Sequence, residues 1–245
     1  MRIIALSVLF VIVAGTLLLM LPCMTRDGNG LSFIKAAFTA TSSVCVTGLT
    51  LIDPAVTLSR YGQVVLLLLI EIGGISMVTF ASFFIFAFKK HSALRSMRLA
   101  QEYTNLDMFS QVKPLVRTII ATTVVCQLIG TGLLCIRFVP KLGAKGIWVS
   151  AFTAVSAYCN AGFDLFGIEK EFGSMANYNG DFLVMGVVMA MIVLGGIGFY
   201  VFYDLLNYRK TKRLSLHTKT ALITTGILIL VGFVGVFVLE YRNVK

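Results

Sequence analysis

Two thirteen-residue stretches carry the residue types and spacing best suited to chemistry in this chain. Ala37–Leu49 reads AFTATSSVCVTGL and Ala151–Phe163 reads AFTAVSAYCNAGF, with seven of the thirteen positions identical at an offset of 114. Each begins as a short apolar, helix-like run and ends in small residues, a Thr or an Asn, and one Gly. The chemistry on offer is that of the backbone. Each stretch is too short to cross a bilayer yet lies between long apolar runs, which makes it a candidate re-entrant hairpin. Non-helical backbone at membrane depth is tolerated only where protein buries it or it lines a watery cavity. The simplest use for carbonyl oxygens placed there is to hold a partly dehydrated cation. The pair therefore reads as two quarters of a selectivity filter, and the rest of the chain as their mounting.

The mounting must be a membrane protein. Of 245 residues, 58% are hydrophobic and only 13% charged, more apolar surface than a soluble domain of this length can hide. The expected fold class is all-α and integral to the membrane: parallel repeats of helix, re-entrant pore helix with filter, and helix, forming half of a pseudo-four-fold pore. The net charge of +10 raises the question of nucleic acid. Its basic clusters, Lys89-Lys90-His91 with Arg95 and Arg98, and Arg209 to Arg213, directly follow apolar runs, as topology-setting loops do. No basic module interleaved with aromatics is present, so no nucleic-acid partner is expected; membrane lipid is. Five cysteines show neither CxxC spacing nor pairing with His. Cys45 and Cys159 are equivalent in the two stretches and read as small packing residues.

In chain order, residues 3–21 resemble a signal peptide, but Pro22-Cys23 is no cleavage site. Arg2, Ile4, Gly15, Thr16, Leu18 and Leu19 also recur as Arg117, Ile119, Gly130, Thr131, Leu133 and Leu134, which marks a structural helix. A turn at 25–30 precedes the first pore helix, expected from about Leu31, and a loop at 50–62 precedes a spanning helix from Gln63 to Phe88. Pro114 suits a helix start. Leu115 to Phe138 spans again, Pro140 to Gly146 forms a loop, and Trp148 falls where an interfacial aromatic belongs. Phe182 to Leu206 returns. Thr224, Thr225 and Gly232 mirror Thr122, Thr123 and Gly130, so Ser215 to Leu239 is a third first-helix.

The expected division is a first pore repeat at 1–88, a cytoplasmic linker at 89–113, a second pore repeat at 114–206, a cytoplasmic loop at 207–218, and the first helix of a truncated third repeat at 219–240. The segments expected inside hold 12 Lys/Arg against 3 acids, and those expected outside hold 9 against 7, which points the filters to the extracellular side of the cell membrane. At that spacing a four-unit protein needs about 460 residues, so the chain reads as a fragment.

Ser43-Val-Cys-Val-Thr-Gly-Leu49, Asn160-Ala-Gly-Phe-Asp-Leu165, Ile72-Gly-Gly-Ile75 and Leu216-His-Thr-Lys219 together resemble the Trk/Ktr/HKT superfamily of potassium uptake proteins, most of all its Ktr-type membrane subunit. The resemblance runs over residues 3–240. It implies a single-file K+ site made by carbonyls of four filter strands, here Cys45, Val46, Thr47 and Gly48, and Cys159, Asn160, Ala161 and Gly162. It also implies K+ as the transported ion with Na+ as the alternative, no organic cofactor, and a homodimer of membrane subunits on a cytoplasmic nucleotide-binding regulatory ring. The filter glycines suit a backbone that needs positive φ to aim its carbonyls.

Glu71 departs from the Gln expected before Ile72-Gly-Gly74, and an acid inside an apolar run is a functional candidate by default. It is open to facing the ion path, pairing with a neighbour such as Ser76 or Thr79, or being protonated; a buried hydrogen-bonded role is the expectation. Asp53 and Asp164 lie toward the outer mouth, either to concentrate cations or to cap local backbone amides. Gly73-Gly74 and Gly195-Gly196 are expected to be close-packing positions between helices. Rival functions are a secondary Na+ or K+ symporter, which calls for inverted rather than parallel repeats, and a complete two-repeat channel subunit that dimerises. An enzyme is disfavoured, since no Ser/His/Asp set, metal-spaced cluster or paired carboxylates appear.

Overall fold

The computed structural model describes residues 2–75 and 108–241, and their regular structure is helical throughout apart from an isolated bridge between Thr25 and Leu58. The end of the helix expected to reach Phe88, the Lys89-Lys90-His91 cluster and most of the 89–113 linker lie outside the described residues.

In the first half, α1 (Arg2–Leu19) packs on α2 (Phe33–Val44). A four-residue turn of helix, α3 (Pro54–Thr57), leads to a helix over residues 60–75, here α4. Gly15 is where α1 meets both neighbours: a Cβ there would lie 2.8 Å from the Leu69 methyls and 3.4 Å from Ala40 Cβ. The second half repeats the plan with α5 (Met108–Leu142), α6 (Lys145–Tyr158) and α7 (Phe182–Ile197), continued by α8 (Phe199–Thr211) and α9 (Leu216–Glu240). Gly130 of α5 abuts Met191 of α7, and α6 is packed between the two.

Three boundaries differ from those expected. The first helix of the second half neither starts at Pro114 nor stops before Pro140; both prolines lie inside α5. The helix accommodates Pro114 in its second turn and Pro140 in its last, and it stops instead at Gly143, whose φ is +61°. The expected loop at 140–146 therefore shrinks to Gly143-Ala144. Phe182 to Leu206 is not a single rod either. Gly198, at φ +94° and ψ 144°, separates α7 from α8.

Two of the described helices hold runs long and apolar enough to cross a membrane, Thr118–Leu142 and Leu216–Glu240. Large apolar side chains such as Phe10, Leu128 and Phe233 are exposed on α1, α5 and α9. In water so extensive a patch would drive association; in hydrocarbon it is ordinary surface.

Carboxylates set the loop geometry. Asp53 caps α3, accepting from the amides of Ala55 at 2.8 Å and Val56 at 3.4 Å, with Pro54 at the first helical position. Its other oxygen accepts from the Phe172 amide at 2.9 Å, so one buried side chain ties the two halves together. Asp181 caps α7 through Leu183 and Val184 and pairs with Arg137 at 3.2 Å. Asp204 of α8 accepts from the Ser215 amide at 2.8 Å and the Thr218 hydroxyl at 2.7 Å, which fixes the start of α9. Asp53→Ala strands three amide donors, and in the full-length protein it is expected to cost about 2–4 kcal/mol. A thermal midpoint unmoved from wild type would remove Asp53 as the tie.

Candidate functional site

The backbones of the two matched stretches turn alike. α2 ends on Cys45 (φ −84°, ψ 0°) and α6 on Cys159 (φ −77°, ψ −4°). The next residue is left-handed in both: Val46 at φ +55° and Asn160 at φ +56°. The Val46 amide then donates to Ser43 O at 3.3 Å and the Thr47 amide to Ser42 O at 2.9 Å. Their counterparts are Asn160 to Ala157 O at 3.1 Å and Ala161 to Ser156 O at 2.8 Å. This paired closure is a Schellman motif, which usually recruits Gly or Asn for the left-handed position. Asn160 conforms; Val46, β-branched, holds that conformation at a cost of about 1–2 kcal/mol.

Each strand is then tied back a second time. Ser42 Oγ accepts from the Leu49 amide at 3.0 Å, and Ser156 Oγ accepts from the Phe163 amide at 3.0 Å. Between the two ties stand Gly48 (φ +76°) and Gly162 (φ +72°). No described peptide bond is cis, and across a trans peptide the N–H and the preceding carbonyl point in opposite directions. Tethering the amides of Thr47 and Leu49 to α2 therefore turns the carbonyls of Val46 and Gly48 away from it. The same ties on α6 turn out the carbonyls of Asn160 and Gly162.

The strands also meet. A Cβ on Gly48 would lie 2.9 Å from the Ala161 carbonyl oxygen and 3.3 Å from Gly162 Cα, and one on Gly162 would lie 3.1 Å from Gly48 Cα. A cavity of about 230 Å³ has Cys45, Val46, Cys159 and Asn160 in its wall, together with Gly195 and Gly196. Another, of about 270 Å³, joins Asn160 and Gly162 to Asp164.

The glycine pairs mount the hairpins. Gly73 of α4 sits against the Val44 carbonyl that ends α2, and Gly195 of α7 against the Tyr158 carbonyl that ends α6. Neither position has room for a methyl group, nor has Gly74 beside Cys159; Gly196 has, so the close-packing role expected for both pairs holds at three of the four glycines.

Both carboxyl oxygens of Glu71, half-buried on α4, accept from one amide nitrogen: Gln127 Nε2 lies 3.1 Å from Oε1 and 2.8 Å from Oε2. Cys159 Sγ donates to Oε2 at 3.5 Å. The acid thus joins α4, α5 and the second hairpin through a hydrogen-bonded carboxyl. Its partner comes from the other half of the chain; Ser76 and Thr79 lie outside the described residues.

Asp164 accepts from the Phe166 amide at 3.0 Å and the Ser174 hydroxyl at 2.8 Å, and Asp53 is likewise turned to backbone amides. Of the two, Asp164 borders a hairpin cavity; Asp53 lines neither. The loop after Asp164 is braced by the rings of Phe138, Phe166 and Tyr178, with centroids 5.1–5.3 Å apart. Tyr178 donates to Glu169 at 2.7 Å. Burial, then the bond to Glu169, pushes its phenol above the usual value.

Sequence reasoning passed over Ser42, Ser156 and Gln127. The serines did leave a signal, being one of the seven identities, while Gln127 left none.

The family model described as TrkH, cation transport protein, matches residues 2–244. The chain is 42% identical over 244 residues to the potassium/sodium uptake protein NtpJ of Enterococcus hirae, covering 99% of this chain and 52% of that protein. It is 37% identical over 243 residues to the Ktr system potassium uptake protein B of Bacillus subtilis, with 99% and 53% covered, and 36% identical over 245 residues to that of Vibrio alginolyticus, with 99% and 52% covered. The chain spans about half the length of these curated relatives. They and the matched family are transporters rather than enzymes.

Proposed function

Since the chain belongs to the TrkH family of cation transport proteins, we propose that it supplies two quarters of the K+ path of a Ktr-type uptake protein. The observation that carries this is the duplicated pair of ties, Ser42 to Leu49 and Ser156 to Phe163, which turns matching carbonyls outward on two strands that touch at Gly48 and Gly162. Cys45, Val46, Thr47 and Gly48, with Cys159, Asn160, Ala161 and Gly162, are the filter segments. A dehydrating K+ exchanges its water oxygens for carbonyls, and the hydrogen bonds behind each strand keep those carbonyls from following a smaller ion inward. α2 and α6 are the re-entrant pore helices.

The charge bias favours filters facing the extracellular side and basic loops in the cytoplasm. The repeats occupy 1–88 and 114–206, joined by the linker 89–113, and 219–240 opens a third unit after the loop 207–218. Asp164, at the rim of the cavity beside Gly162, adds negative potential to the mouth, while Glu71 braces the second strand. Na+ is the second reading for the transported ion, favoured by the potassium/sodium name of the Enterococcus hirae relative. The relatives named as components of a Ktr system support a membrane subunit that works with others. The family resemblance adds a homodimer on a cytoplasmic nucleotide-binding ring.

The test is a structure of the full-length protein with Tl+ in place of K+. Density is expected against the carbonyls of Val46, Gly48, Asn160 and Gly162. Hairpins facing acyl chains, or on opposite sides of the membrane, would end the reading.

A further inference from the structure

We propose that the groove between the two halves at their outer rim is a site for a phosphate-bearing anionic headgroup, that of a phospholipid of the outer leaflet. The leaflet, though not the anion chemistry, rests on the orientation proposed above. A cavity of about 280 Å³ lies between the 22–30 turn, the start of α4 and the first turn of α6, and three cations, Arg26, Arg60 and Lys145, border it. Among the described residues none of the three forms a salt bridge with a carboxylate. The nearby Asp53 carboxylate is committed to the amides of Ala55, Val56 and Phe172.

The walls are built rather than incidental. Gln63, buried, donates from Nε2 to the carbonyls of Pro54 at 3.2 Å and Leu58 at 3.4 Å, and its Oε1 accepts from Trp148 Nε1 at 2.9 Å. That fixes the indole, and the Arg60 guanidinium lies 4.9 Å from its ring centroid. Arg26 is held by a bond from Nε to Leu58 O at 3.2 Å, which leaves its terminal nitrogens free to turn to a ligand. The first turn of α6 has no side-chain cap, so its amides add positive potential on the same side.

Guanidinium forks match phosphate oxygens, and an ammonium adds a point charge. The fixed Trp148 and the apolar Val149 and Ile168 give the cavity the half-polar character of the membrane–water boundary, where tryptophan concentrates. The volume suits a headgroup with its acyl chains left outside.

The experiment uses the full-length protein and native mass spectrometry in two arms, phosphatidylglycerol against phosphatidylcholine, and inorganic phosphate alone. Wild type is expected to retain phosphatidylglycerol preferentially, and the triple variant Arg26→Gln, Arg60→Gln, Lys145→Gln to bind it roughly a hundredfold more weakly. Lys35→Gln, which removes an exposed charge on α2 that does not line the cavity, should bind as wild type does. Equal binding by wild type and the triple variant would overturn the site, and retention of inorganic phosphate in preference to the lipid would overturn the lipid source. Should the triple variant fail to insert, Lys145→Gln alone carries the test, with severalfold weakening expected and none overturning it. K+ uptake by the same variants, reconstituted in proteoliposomes, is read separately, so a failure of the transport reading appears there and not in lipid retention.

Discussion

Gly162→Leu, or Gly48→Leu, in the full-length protein is expected to reach the membrane in normal amount and to lose K+ uptake by about a hundredfold or more. Any L side chain forced to φ near +70° costs about 1–2 kcal/mol. At these two positions that is the smaller part. A Cβ on Gly48 would press on the Ala161 carbonyl at 2.9 Å, and one on Gly162 on Gly48 Cα at 3.1 Å, so one strand must move against the other. Each 1.4 kcal/mol lost from a site that shares one ion is about tenfold in occupancy. Gly28 provides the control, with the same left-handed conformation at φ +72° and nothing within 4 Å of a Cβ. Gly28→Ala bears the backbone cost without the collision and should transport normally. Rubidium uptake in cells lacking other K+ uptake, normalised to surface-labelled protein, reads both. Wild-type uptake by Gly162→Leu would dismantle the filter assignment.

The second large effect is on discrimination. Replacing Ser42 and Ser156 together by Ala removes the acceptors of the Leu49 and Phe163 amides. Each buried donor left without an acceptor costs about 1–3 kcal/mol, and a strand has a cheap way to recover it by rotating the peptide toward the ion path. That rotation carries an outward carbonyl out of line. The preference for K+ over Na+ is expected to fall by about tenfold, while total cation flux persists. Reversal potentials with the full-length protein in K+ and Na+ gradients measure this. Unchanged selectivity would mean the hydroxyls fasten the loop without holding the filter.

Much of this was legible because duplication repeats its constraints. Seven identities at a fixed offset located both hairpins, and the two glycines announced left-handed backbone. Val46 at φ +55° was not readable, since a β-branched residue is the last choice for that conformation and only the surrounding hydrogen bonds hold it there. The Glu71–Gln127 contact joins residues 56 apart on different helices, and no local pattern encodes such a partner. The stop of α5 is missed because Pro140 reads as a helix breaker, whereas the helix runs two residues past it and ends before Gly143, whose φ is +61°. Gly198 reads as one more small residue in an apolar run, and only the coordinates show the break it makes.

The contrast between Val46 and Asn160 carries a lesson about ancestry. At one station a hydrocarbon side chain stands where its duplicate has a carboxamide, and the peptide planes around them are the same. Selection on such a gene pair would act on the direction of dipoles, which any side chain compatible with the turn leaves intact. On the proposed reading the two copies are free to differ wherever the turn and its hydrogen bonds stay put, and seven identities in thirteen positions understate how alike the two backbones are.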